Sequence, residues 1–118
     1  MLPKSITNAI EALLGSAGKS DPALRRAVFE RTRSGAGATP PFELRELVEK
    51  IDERPWTVSD EDFTRLRQAG YSEDQIFELT VASAAGAGVR RFEAGLRAIE
   101  AIVAEETNRD NALSIAKD

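Results

Sequence analysis

The chain has 118 residues, which is enough for one domain with a single core and too few for two. It contains no Cys and no His, which excludes disulfides, thiolate nucleophiles, Cys/His zinc sites and histidine acid–base catalysis. A net charge of −4 gives no overall electrostatic attraction to nucleic acid, so we do not expect nucleic acid as a partner.

The first predicted helix covers residues 5–14, where apolar residues recur at steps of three or four, and it ends at Gly15. Glu11 would interrupt the apolar stretch of a secretory signal, and no stretch of the chain is long enough to span a bilayer. We therefore expect a cytoplasmic, soluble protein with no membrane partner.

The second predicted helix begins in "SDPALRRAVFERTRSG". Asp21 suits the N-cap position, Pro22 suits the first helical position, and Gly35 suits the end of the helix. The stretch "SGAGATPP" at 34–41 has the composition of a flexible linker or loop.

The third predicted helix lies in "PFELRELVEKIDERP", where Pro55 prevents its continuation. The stretches "SDED" and "SEDQ" then have the form of a capping box, Ser followed three residues later by an acid or Gln. They predict that two further helices begin at Ser59 and Ser72.

The last predicted helix runs from Glu73 to Ala104 and would be about 48 Å long. This is longer than a small domain needs, so we expect a kink near Gly86 or Gly88, or use of the excess length in subunit contacts. The apolar stripe that predicts the helix is Phe77, Val81, Ala84, Gly88, Phe92, Leu96, Ile99 and Val103. The tail at 105–118 weakens in pattern, and we expect it to be weakly ordered.

The absence of any strand pattern predicts an all-α fold of about five helices, the last of them long or kinked. We expect a single domain, with N-terminal helices in 1–33, a loop at 34–41, a core at 42–104 and a tail at 105–118.

Two motifs have both a structural and a functional interpretation. The stretch "ASAAGAG" at 82–88 is rich in Gly but lacks the Lys and the preceding strand of a phosphate-binding loop, so it favours close helix packing. Two basic clusters could bind an anion, although salt bridges and solvated faces explain them as well. They are Arg25 with Arg26, and Arg90 with Arg91.

The acidic candidates lie at predicted helix starts. Asp60, Glu61 and Asp62 fall in a first helical turn, where acids stabilise the helix through its dipole and need no catalytic purpose. Glu43 is a candidate general acid or base, although the first turn of the third helix explains its position equally well.

The stretch "RLRQAGYSEDQIFELTVASAAGAG" resembles the carboxymuconolactone decarboxylase and alkylhydroperoxidase D-like (AhpD-like) family, and the resemblance covers roughly residues 40–100. Members of that family carry a Glu and, about a dozen residues later, Cys-x-x-Cys followed by His. Laid without gaps, this pattern places the family's Glu on Glu43, its two Cys on Pro55 and Val58, and its His on Asp62.

The resemblance implies an AhpD-like helical core that assembles as a trimer or hexamer. In the family, the two thiols reduce peroxide or an acyl-linked disulfide, and a chain without Cys cannot do this chemistry. We therefore expect no cofactor and no metal. We also expect Trp56 and Val58 to fill the volume of the former active-site pocket.

Three functions stay open at this point. The first is a non-catalytic, oligomeric member of the family that binds another protein or a small apolar ligand. The second is a thiol-independent decarboxylase or lactone-handling enzyme, in which Glu43 acts as acid or base and one of the four arginines steadies a substrate carboxylate. The third is an all-α regulatory adaptor that is AhpD-like only in its last two helices.

Overall fold

The computed structural model describes residues 2–117, with side chains as far as residue 113. This part of the chain forms five α-helices and no strand, which confirms the predicted all-α fold. A short 3-10 turn, Pro55–Thr57, joins the third and fourth helices. The helices are α1 (Lys4–Leu14), α2 (Pro22–Ser34), α3 (Phe42–Glu53), α4 (Asp60–Gln68) and α5 (Glu73–Lys117).

The ends of α2 follow from local sequence. The Asp21 side chain accepts a hydrogen bond from the Ala23 amide at 2.9 Å, and Pro22 occupies the first turn, where its missing N–H costs nothing. Gly35 ends the helix in the left-handed conformation, with φ of 73°. All three predicted roles are confirmed.

Both predicted capping boxes are also present. At the start of α4, the Ser59 amide donates to the Asp62 carboxylate at 2.9 Å. At the start of α5, the Ser72 amide donates to Gln75 Oε1 at 2.9 Å, and the Gln75 amide donates to Ser72 Oγ at 3.1 Å. Each box satisfies backbone donors that a helix start would otherwise leave free.

Helix α5 organises the fold, because all four other α-helices pack against it and α2 does so most extensively. The α2–α5 crossing is close at Gly86, where an added methyl group would collide with the Phe29 carbonyl oxygen and with Thr32 Oγ1. Thr32 Oγ1 donates to the Ser83 carbonyl at 2.7 Å across the same crossing. The close packing predicted for residues 82–88 is therefore confirmed.

Helix α5 is continuous over 45 residues, about 67 Å, and neither Gly86 nor Gly88 interrupts it. Its last buried residue is Val89, and residues 97–113 are all exposed. We call residues 97–113 the α5 projection. The molecule measures 73 × 29 × 21 Å as a result. Its radius of gyration is 19.6 Å, whereas a compact domain of this length would have about 13.5 Å.

The tail predicted to be weakly ordered, 105–118, continues α5 as helix to Lys117. Residue 118 lies outside the described residues. Helix α5 is therefore longer than the predicted helix, and its projection includes residues 105–113 of this tail.

The apolar stripe that predicts the last helix does not face the core. The residues of α5 that enter the core include Ile76, Leu79, Ala82 and Val89, whereas Phe77 on the predicted stripe is 69% exposed. Both faces of this helix are apolar, so the 3.6-residue period alone could not distinguish the inner face from the outer one.

Candidate functional site

The resemblance directs attention to a groove between α3 and α4, which we call the α3–α4 groove. It has a volume of about 510 Å³ and is open to solvent. It brings together Glu43 and Asp62, the positions on which the resemblance would place the family's Glu and His. Its polar lining residues are Glu43, Arg45, Glu46, Glu49, Asp62 and Arg65.

Glu43 lies exposed in the first turn of α3. The Tyr71 hydroxyl donates to Glu43 Oε1 at 2.9 Å. A backbone hydrogen bond at Glu43 and this bond from Tyr71 hold the pKa of the Glu43 carboxyl below its usual value. Burial and the neighbouring carboxylate raise the pKa of Tyr71 to about 12. Glu43 is thus a weaker base than an ordinary glutamate, which does not favour a general-base role at neutral pH.

Asp62 is buried at the first turn of α4, and two cations hold it. Lys50 Nζ lies 2.9 Å from Asp62 Oδ1, and an Arg65 terminal nitrogen lies 2.7 Å from the same oxygen. Burial raises the pKa of Asp62, but the hydrogen bonds from Lys50, Ser59 and Arg65 outweigh it, so the pKa lies below its usual value. Asp62 is therefore a permanent anion that ties α3 to α4, and it does not replace a proton-relaying histidine.

Pro55 and Val58 occupy the joint between α3 and α4, as expected. Pro55 opens the 3-10 turn, and Val58 is half-buried against the core. Trp56, however, is 79% exposed, so the prediction that it fills a former pocket is wrong. The groove beside Glu43 is also open to solvent, so apolar side chains do not fill this volume.

The two predicted basic clusters are engaged in internal contacts. Arg25 is 2% exposed and donates to the carbonyl oxygens of Leu13 and Gly15 at 2.6 and 2.7 Å. Arg90 donates to the Thr32 carbonyl at 2.9 Å and pairs with Asp52 at 2.7 Å.

The other member of each cluster has a more exposed position. Arg91 donates to the Asp52 carbonyl oxygen, and Arg26 is exposed. None of the four lines the α3–α4 groove, so they do not supply the substrate-binding arginine that the enzymatic hypothesis needs beside Glu43.

The basic groups that line or border this groove could not be identified from the sequence. Arg65 and Lys50 both pair with Asp62, and each also lies 3.5 Å from a Glu46 carboxylate oxygen. Spacing along the chain contains no signal for the Tyr71 contact, which joins residues 28 positions apart. Helical periodicity could have suggested two of these contacts: the i,i+3 pair of Asp62 and Arg65 on α4, and the i,i+4 pair of Glu46 and Lys50 on α3.

We call helices α1 to α4, together with the part of α5 that packs against them, the body of the molecule. A second candidate surface lies on the side of α5 that faces away from the body. Each residue of an α-helix advances by about 100° around the axis, so the residues that share one side can be read from the sequence. From 77 to 103, one sector of about 100° contains only apolar residues and Gly, and the six charged residues of this segment fall outside it. We call this sector the outer face: Phe77, Val81, Ala84, Ala85, Gly88, Phe92, Gly95, Ile99, Ile102 and Val103.

The outer face is accessible in the single chain. Among its large side chains, Ile99 is 60% exposed and Ile102 is 57% exposed, and Phe92 and Val103 are exposed as well. Leu113 continues the same side of the helix after two acidic positions, Glu106 and Asp110. A helix that is apolar on two opposite sides normally has a packing partner on each, and the body covers only one of them.

Within residues 2–117, the helices are too short or too polar to cross a lipid bilayer. In the part of the chain that the structure describes, no three acidic side chains lie close enough together to hold a metal ion. No protein-family model, curated protein or solved structure matches the chain.

Proposed function

We propose that the chain is an AhpD-like helical protein without redox thiols that functions by self-association and not by catalysis. The observation that carries this proposal is the outer face of α5, an apolar sector about 40 Å long whose large side chains the chain leaves exposed to solvent. Isolated exposed apolar residues are ordinary, but a contiguous exposed stripe of this length is typical of an interaction surface.

The α3–α4 groove supports the same proposal. Glu43 and Asp62 share it, which fits the arrangement that the resemblance implies. Glu43 is hydrogen-bonded to Tyr71, and Asp62 is neutralised by Lys50 and Arg65, so both carboxylates have structural partners. These contacts are compatible with an AhpD-like scaffold whose catalytic positions have become structural.

The test is the mass of the protein in solution, measured by light scattering on a sizing column over a wide range of concentration. We expect an oligomer, and the resemblance makes a hexamer or trimer the expected order. A monomer at every concentration would overturn the proposal, because the outer face would then have no partner copy.

A second candidate is thiol-independent decarboxylation or lactone chemistry in the α3–α4 groove. The observation that favours it is that Glu43 lies in an open groove whose lining includes Arg45 and Arg65. If a decarboxylase or lactonase activity is measured, Glu43→Gln should abolish it, while Glu49→Gln in the same groove should not. Unchanged turnover in Glu43→Gln would eliminate this candidate.

A further inference from the structure

We propose, on the basis of the self-association proposed above, that two copies of this chain pair antiparallel along the outer faces of their α5 helices. The two-fold axis of the pair passes near Ala98 and Ile99. The partner of the exposed face is thus a second copy of the same chain, bound in a defined register.

The distribution of large and small residues supports an antiparallel register. An axis near Ala98 places Gly95 of each copy opposite Ile102 of the other, and Ala84 opposite Leu113. In a parallel pair each residue would face its own copy, so Gly95 would face Gly95 and leave a gap at the contact.

The largest exposed residues of the outer face also find partners in this register. Phe92 lies beside Val103 of the second copy, on the same edge of the contact. At the two-fold axis, Ile99 contacts Ile99 of the second copy. Large side chains then alternate with small ones along the pair, which is how helices pack closely.

The charges along the helix favour the same direction. Arg91 borders the outer face near the body, where it is exposed although it also donates to the Asp52 carbonyl oxygen, and Glu106 lies in line with that face on the α5 projection. The antiparallel register places Arg91 of one copy beside Glu106 of the other. A parallel pair would instead place Glu106 beside Glu106, and Asp110 beside Asp110, of the second copy. Arg91 thus meets an opposite charge in the first arrangement, whereas Glu106 and Asp110 each meet a like charge in the second.

The contact is large enough for a specific association. The paired segments, from Ala84 to Leu113, overlap over about 44 Å, and a helix is about 10 Å across, so pairing removes on the order of 1,000 Å² from water. The body packs on the opposite side of α5, so the two bodies lie on opposite sides of the helix pair.

This contact also restricts the symmetry of the assembly. A two-fold axis is present in a dimer and in a hexamer built from three such pairs, but not in a trimer with only a three-fold axis. The predicted hexamer is compatible with this pairing, and a simple trimer is not.

The absence of Cys makes a cross-linking test direct, because every introduced thiol is the only one in its chain. A chain with Ala84→Cys is mixed with a chain with Leu113→Cys and treated with a short bis-maleimide. We expect a cross-linked pair from the mixture, at least tenfold more than from either chain alone, and we expect Ile99→Cys to cross-link with itself. The control is Ala101→Cys, which is exposed on the opposite side of α5 and should give no cross-linked pair.

Light scattering of each uncross-linked variant separates the possible outcomes. If the variants form oligomers and Ala84→Cys and Leu113→Cys each cross-link with themselves, the antiparallel register is wrong while self-association stands. Equal cross-linking at Ala101→Cys would likewise overturn the proposed face. If the original chain is monomeric at every concentration, the pairing and the proposed function fail together.

Discussion

At the scale of single residues, Glu78 joins the loop after α1 to helix α5. Its carboxylate accepts hydrogen bonds from the Lys19 and Ser20 amides and from Ser20 Oγ, at 2.7 to 2.9 Å, and Arg25 lies 4.0 Å away. The two amide bonds are the main reason that the pKa of Glu78 falls to about 2 from its usual 4.5. One carboxylate thus fixes the path of a loop that has no regular structure.

The shifted pKa predicts a specific dependence on pH. Between pH 4.5 and about 2 the unfolded chain binds a proton at Glu78 and the folded chain does not, so folding stability falls as the pH falls through this window. Above pH 4.5 the contribution is complete. Glu78→Gln should lower the free energy of unfolding at pH 7 by about 2 kcal/mol and flatten the dependence between pH 4.5 and 3.

Urea denaturation followed by circular dichroism at several pH values measures this effect. Glu73→Gln is the matched control, because Glu73 lies exposed at the start of the same helix and its pairing with Arg67 is a surface contact worth less than about 1 kcal/mol. Equal losses in the two variants would show that Glu78 has no special role.

Gly86 gives the second prediction at this scale. Gly86→Ala would push a methyl group into the Phe29 carbonyl and Thr32 Oγ1, and the backbone of α2 would have to move. We expect a loss of about 3 kcal/mol or more in the free energy of unfolding. Gly88→Ala has nothing within 4 Å of the added methyl group and should be neutral or stabilising by up to about 1 kcal/mol.

At the scale of elements, helix ends could be predicted from sequence and helix faces could not. Ser59, Ser72 and Asp21 act on amides two or three residues away, so the sequence around them contains the whole interaction. Which side of α5 enters the core depends on residues such as Phe29 and Thr32, which lie far away along the chain. The long-range contacts of the α3–α4 groove could not be predicted for the same reason. Tyr71 contacts Glu43, and Lys50 contacts Asp62, from distant positions in the sequence.

The α5 projection provides a prediction about this element. A chain that ends at Leu96 keeps every residue that is buried among those whose side chains the structure describes. We therefore expect its thermal unfolding midpoint, measured at a low concentration where the intact chain is dissociated, to lie within a few degrees of that of the intact chain. Light scattering should show that it no longer forms the oligomer. A shortened chain that still assembles would place the interface on the body.

At the scale of the whole molecule, the protein consists of a small body and the α5 projection. The α5 projection contributes little to the stability of a single chain, because its side chains from residue 97 to residue 113 are all exposed. Association through the outer face would add apolar burial that the single chain lacks. Folding and assembly should then be linked by mass action.

This linkage predicts that the midpoint of thermal unfolding rises with protein concentration. The rise should be absent in Ile102→Asp, because an uncompensated carboxylate would be buried in the contact between copies. Ala101→Asp, on the opposite side of α5, costs at least as much in helix propensity and should retain the rise. Calorimetry over a hundredfold range of protein concentration measures the unfolding midpoint of each variant. If the midpoint changes with concentration equally in the two variants, the outer face is not the contact between copies.

Trp56 also has a consequence for how this molecule can be followed by fluorescence. It is the only Trp in the chain, and it is 79% exposed at the joint between α3 and α4. An indole already surrounded by water has little further change to undergo when the chain unfolds, so its emission should report poorly on folding. The same property makes it a native sensor of contact, since a blue shift of its emission would show that a ligand or a protein has covered the joint.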